Sequence, residues 1–163
     1  FVNTTQPGVS TVEERVQGFE EVIEGEPGIE YLGAEFNNDD PTRAAEITSA
    51  VLAANRDLAG IFATNLFSSE GAATALRDAG AAEQVQLVGF DASPGQVAQL
   101  EEGLVQALVA QNPREIGAQG VQTAVASLRG EPFEEQITTP LTVVTQDNLD
   151  DPAVRDTLYL GEC

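Results

Sequence analysis

Gln86-Leu87-Val88-Gly89-Phe90-Asp91-Ala92-Ser93-Pro94 is the stretch on which the fold turns. Val85 to Phe90 is an apolar run of strand length that stops on a carboxylate. Ser93-Pro94 then carries a helix-start signature, a capping hydroxyl followed by proline. An acid in that place lies just past the carboxyl end of a strand. In open α/β sheets small ligands bind along that edge, so the question is which other polar groups arrive there.

The flanking chain repeats the same alternation. Leu58 to Thr64 is a second apolar strand, followed by a helix capped by Ser68 or Ser69. That helix turns Ala72, Leu76 and Ala79 inward and stops at Gly80. Ahead of it, Ile29 to Phe36 is a strand candidate of mixed pattern. Asn37-Asn38-Asp39-Asp40-Pro41 makes a turn and cap, and a helix runs to about Ala54 with Ile47, Val51 and Ala54 inward. Phe1 to Thr5 reads as the end of a strand. After the Pro7-Gly8 turn, Ser10 or Thr11 caps a helix whose Val12, Val16, Phe19 and Ile23 form one apolar stripe.

Downstream of the opening stretch, a short helix runs from Pro94 to Glu102, and Leu104 to Ala110 is a strand. Pro113 opens a long helix to about Leu128, with Val121, Ala124, Val125 and Leu128 inward. Thr138 to Thr145 is a final strand, and a short helix starts at Pro152. Strands alternating with helices predict a three-layer α/β fold: a mostly parallel, Rossmann-like sheet with helices on both faces.

Composition excludes several functions. The 163 residues hold 27 acids against 7 bases, a net charge of −20, and every base is arginine. Such a field repels nucleic acid, so no nucleic-acid partner is expected. It reads as a solubility device for a salty or exposed setting, with attraction of cations or basic partners as the other reading. Hydrophobic residues at 42% and charged residues at 21% describe a globular chain. No apolar run is long enough to span a bilayer. The chain opens on Phe rather than Met, and the expectation is that a segment upstream has been removed.

Histidine is absent. That removes the usual proton shuttle and rules out a Ser-His-Asp or Cys-His arrangement within this chain. Neither Gly-x-Gly-x-x-Gly nor the phosphate-cradling Gly-x-x-x-x-Gly-Lys loop occurs. Asn37 to Asp40 lacks the ligand ladder and distal glutamate of a calcium loop. No cofactor, no metal and no enzymatic activity are therefore expected. The one cysteine, Cys163, is the last residue, a tail thiol or a bridge to a segment outside this chain.

In a parallel sheet the carboxyl ends of the strands share one edge. Arg15 lies about a turn into the first helix; Asn38, Asp39 and Asp40 follow the second strand; Asn65, Asp91 and Gln111 follow the third, fourth and fifth. Amides, carboxylates and guanidinium suit paired hydroxyls, because each makes forked or bidentate hydrogen bonds. A sugar would satisfy that set. Taken singly, each has a plainer reading: Asp and Asn as helix caps or Asx-turns, Arg15 as a surface arginine, Gln111 as a turn residue. The ligand reading rests on all five connections together.

Arg15-Val16-Gln17-Gly18-Phe19, Asp40-Pro41, Gly60-Ile61-Phe62-Ala63-Thr64-Asn65, Gly71-Ala72, Val88-Gly89-Phe90-Asp91, Gln111-Asn112-Pro113 and Ile116-Gly117 occur in one order. From about Val9 to Asp151 the chain resembles the C-terminal half of a ribose-binding-protein-like solute receptor of a sugar ABC transporter. The resemblance implies two similar α/β lobes, joined by three crossing segments, that close on a monosaccharide or related polyol. It also implies a membrane permease as partner and an extracytoplasmic location, periplasmic or as a cell-surface lipoprotein. It places sugar contacts on Arg15, Asn65, Asp91 and Gln111, and a further one at Asp39, with Asn38 as the rival placement. Ribose receptors carry an aromatic at the Asp39 position, which points to another hydroxylated ligand. Phe67 is expected to pack rather than to stack on a sugar.

The resemblance divides the chain into a C-terminal ligand-binding lobe over 1–111, a crossover helix over 112–136 that normally packs on the other lobe, and a final strand and tail over 137–163. Deprived of that lobe, the crossover helix exposes an apolar stripe, and this chain is expected to dimerise or swap elements with a copy of itself. The rival family is the effector-binding core of lac-repressor-type regulators, which shares the Val-Gly-Phe-Asp strand. Ala92 and Pro94-Gly95-Gln96 fit the transport receptor better. A signalling or adhesion module using the fold without a ligand is the third class.

Overall fold

The computed structural model describes residues 1–159, so Cys163 and the reading attached to it lie outside the described residues. Six strands form one sheet: β1 (Val2–Thr4), β2 (Ala34–Phe36), β3 (Gly60–Ala63), β4 (Gln86–Phe90), β5 (Ala107–Ala110) and β6 (Thr142–Val144). Their spatial order is β2-β1-β3-β4-β5-β6. The first five pair in parallel and β6 is antiparallel to β5. This is the doubly wound order in which the chain reverses direction between β1 and β3, and a crevice opens at the carboxyl ends of the strands there.

The connecting helices are α1 (Ser10–Ile23), α2 (Pro41–Ala54), α3 (Leu66–Ala79), α4 (Pro94–Glu101) and α5 (Pro113–Arg129), with a last turn α6 (Pro152–Arg155). Right-handed crossovers put α2, α3 and α4 on one face and α1 on the other. The expected mostly parallel sheet with helices on both faces is the fold observed. Under α2 to α4, Leu76, Leu87, Leu100 and Leu108 have no exposed surface, and each such side chain stabilises by about 1.5–3 kcal/mol. On the α1 face, Phe19 stacks on Phe62 with ring centroids 5.5 Å apart.

Helix α3 lies so close to α2 that Gly71 has no space for a side chain. A Cβ there would come within 2.6 Å of Ala44 Cβ and also strike the backbone of Pro41. The small residues Gly71, Ala72 and Ala44 thus bring the N-terminal halves of two helices side by side.

Several local expectations are corrected. Asn65, not Ser68 or Ser69, caps α3, and both serines are buried within its first turn. Helix α1 starts at Ser10 itself, preceded by Val9, with no side-chain cap. Strand β2 is confined to Ala34–Phe36; the Gly33 turn, at φ +90°, cannot continue a strand back to Ile29. Ala54 and Ala79 are exposed because each lies in the last turn of its helix, beyond the core. Helix α5 buries no residue at all, leaving Val121 and Leu128 66% and 89% exposed. Its apolar stripe has no core beneath it among the described residues.

Candidate functional site

Each sheet connection delivers its polar group to the crevice by a local cause. Beyond β2 the chain turns through Asn38 and Asp39 at φ 58° and 60°. Asn and Asp tolerate this left-handed backbone better than other side chains do. Asp40 is a helix cap, accepting from Thr42 N–H at 2.8 Å and Arg43 N–H at 3.1 Å. Asp39 faces the next connection and accepts from Asn65 Nδ2 at 2.5 Å. Asn38, the rival placement, makes no such contact among the described residues and is exposed.

Asn65 both caps α3 and faces the crevice. Its Oδ1 accepts from Ser68 N–H at 3.1 Å and Ser68 Oγ at 2.5 Å. The acceptor is thereby committed, and Nδ2 is the group left to donate. Behind it runs a buried chain of polar groups. Asn37 Nδ2 donates to Ser68 Oγ at 2.6 Å and to Asn3 Oδ1 at 2.7 Å, and Asn3 Nδ2 donates to Thr48 Oγ1 at 3.0 Å and Ala44 O at 2.9 Å. This network ties β1, β2, α2 and α3 together directly beneath Asp39 and Asn65.

Beyond β4, Asp91 also sits at positive φ, 77°. Gln111, at the end of β5, donates from Nε2 to Asp91 Oδ1 at 2.8 Å. Arg15 reaches over the sheet edge from α1, its Cζ 3.6 Å from the centre of the Phe90 ring and its Nη1 donating to Thr64 O at 2.8 Å. Partial burial pulls the Arg15 pKa down from its usual value, while the charge of Asp91 opposes that shift. Arginine stays protonated in proteins nonetheless, so the crevice pairs a fixed cation with the carboxylate. Three residues with left-handed backbone on one edge is the pattern of strain held at a functional site.

Of the five expected site residues, the structure thus groups Asp91, Gln111 and Arg15 at one end of the crevice and Asp39 with Asn65 at the other. Two contributors were missed in sequence. Tyr159 donates from its hydroxyl to Asp91 Oδ1 at 2.9 Å, and no local pattern in the tail announces it. The Asn3–Asn37–Ser68 network did leave a trace, since Asn3 interrupts an apolar strand and buried polar groups must be bonded. Thr5 Oγ1, buried at the same edge, has no hydrogen-bond partner among the described residues. Phe67, expected to pack, is 36% exposed two residues after Asn65. No cluster of potential metal ligands occurs among the described residues.

A doubly wound lobe with amide, carboxylate and guanidinium groups along its switch-point crevice presents the forked donors and acceptors that suit a small hydroxylated ligand. A family model described as "Periplasmic binding protein domain" matches residues 2–132, and the chain belongs to that family. The ribose import binding protein RbsB of Haemophilus influenzae is 33% identical over 139 residues, covering 85% of this chain and 47% of that protein. A solute-binding protein of an ABC transporter from Agrobacterium vitis, solved with α-D-tagatopyranose, is 41% identical with a TM-score of 0.95, covering 98% of this chain and 54% of that one. A second from the same organism, solved with D-fucose, is 32% identical with a TM-score of 0.93, covering 97% and 55%. The chain spans about half the length of the curated relatives it matches.

Proposed function

We propose that this chain is the C-terminal lobe of the sugar-binding component of an ABC-type importer, closing with a second lobe on a monosaccharide or related polyol. The observation that carries the reading is the set of forked donors and acceptors gathered at the switch-point crevice: Arg15, Asp39, Asn65, Asp91 and Gln111. Asn65 now bonds to Asp39 and Gln111 to Asp91, so a hydroxylated ligand would exchange those mutual bonds for its own. Arg15 would donate from the guanidinium nitrogens not held by Thr64, Asp91 would accept, Asn65 would donate from Nδ2, and Gln111 would donate and accept. Asp39, in place of the aromatic of ribose receptors, favours a hydroxylated ligand other than ribose. Phe67 is a candidate stacking face.

The mechanism is a population shift. A ligand that bridges two lobes stabilises the closed form, and a membrane permease distinguishes that form from the open one. The function is noncatalytic and its place extracytoplasmic, in the periplasm or as a cell-surface lipoprotein. Residues 1–111 form the ligand-binding lobe, 112–136 the crossover helix that packs on the other lobe, and 137–163 the final strand and tail. The unburied face of α5 supports that division. When the chain is alone, a second copy is the occupant of that face. The relatives named above are transport receptors, which favours this reading over a lac-repressor-type effector core.

A thermal-shift screen of pentoses, hexoses and polyols on the receptor containing this chain tests the proposal. Stabilisation by at least one sugar is expected, with the increment growing with ligand concentration. Indifference to every sugar in the panel would sink it.

A further inference from the structure

Tyr159 reaches the crevice from the end of the chain, 68 residues beyond the carboxylate it touches and outside the residues matched by the family model. Its tail is anchored to the core: Val154 in α6 is 7% exposed, and Leu149 and Leu158 pack against the same cluster. The Tyr159 backbone N–H donates to Ala92 O at 3.0 Å, pinning the residue beside the turn that carries Asp91. The hydroxyl then closes a small ring. It donates to Asp91 Oδ1 at 2.9 Å and accepts from Gln111 N–H at 3.2 Å, while Gln111 Nε2 donates to the same Oδ1 at 2.8 Å.

Both donors fall on one carboxylate oxygen. Oδ2 takes no hydrogen bond from the described residues, and an ionised carboxylate oxygen can accept from two donors. We infer that Tyr159 is a positioning residue for ligand binding: with Gln111 it holds Asp91 Oδ1 and so presents Oδ2 to ligand hydroxyls. The inference rests on the sugar-binding reading above. It requires the phenol to remain a donor wherever the receptor works. Burial, then the charge of Asp91 and the bond to it, push the Tyr159 pKa up to about 12. The charged groups facing the phenol are Asp91 and Arg15.

The test is a double-mutant cycle by calorimetry on the receptor containing this chain, with D-ribose, D-allose, D-tagatose, D-fucose and D-arabinose as probes. Tyr159→Phe, which removes one oxygen atom, should weaken the best-bound sugar about tenfold, the worth of one hydrogen bond to a charged group. Asp91→Asn should weaken it more. The double variant should bind no worse than Asp91→Asn alone, because Tyr159 acts through Asp91. Unchanged affinity in Tyr159→Phe, or losses that multiply in full, would overturn the inference.

A second readout needs no sugar. In the 163-residue chain by itself carrying Tyr31→Phe, Tyr159 is the one remaining tyrosine, and its ionisation can be followed by ultraviolet absorbance. A midpoint near 12 that drops toward the ordinary 10 in Asp91→Asn supports the pairing; a midpoint indifferent to Asp91 contradicts it. Failure of all five sugars to bind would strike the sugar-binding reading, whereas failure of the pairing would strike Tyr159 alone.

Discussion

Asn37 has no exposed surface, and its one amide nitrogen serves both Asn3 and Ser68. Replacing it by alanine strands two buried polar partners and loosens the serine that orients Asn65. Asn37→Ala should cost about 1–3 kcal/mol, read from the midpoint of urea unfolding at constant slope. A variant as stable as the parent would mean that water replaces the amide and that the network is not a support. Asp91 imposes a different constraint. At φ 77° alanine would add backbone strain to the loss of the carboxylate, so Asp91→Asn is the cleaner probe of function. At this scale the sequence was legible where chemistry and position coincide, as at Asp91 and Gln111. It was not legible for Tyr159, whose role depends on a contact 68 residues away that no local pattern encodes.

Helix α3 shows how an element acquires its place. Ala72 and Leu76 were readable as core from their spacing, yet the close approach to α2 depends on Gly71, where even one methyl group collides with Ala44 and Pro41. Gly71→Ala should cost about 1–3 kcal/mol by forcing the two helices apart, visible as a lowered unfolding midpoint. An unchanged midpoint would show that the helix pair can slide without loss. Asn65 was expected at the crevice while the cap was assigned to the serines. One residue does both jobs, because the helix begins three residues sooner than its serines suggested. Helix α5 is the contrary case. Its stripe of Val121, Val125 and Leu128 reads as a core face, but periodicity reports only that a face wants burial, not what buries it. Light scattering on this chain alone should give a mass that rises toward a dimer with concentration, and Val121→Glu with Leu128→Glu should hold it monomeric. A clean monomer from the parent at high concentration would contradict the self-association.

For the molecule as a whole, the alternation of strands and helices sufficed to predict a mostly parallel, doubly covered sheet, and right-handed crossovers through the observed order β2-β1-β3-β4-β5 place α1 on one face and α2 to α4 on the other. The antiparallel β6 was beyond that logic, because its pairing depends on a long return past α5 and not on a local rule. The charge of −20 constrains partners but not fold. What joins the scales is the crevice, where a switch point supplies the location and the strand ends supply the groups. Calorimetric titration of the receptor with its best-bound sugar, for the parent and for Asp91→Asn, measures whether the crevice binds through that carboxylate. An affinity lower by about a hundredfold is expected in the variant, the cost of removing a charged acceptor from paired hydroxyls. Equal affinity in the two proteins would contradict it.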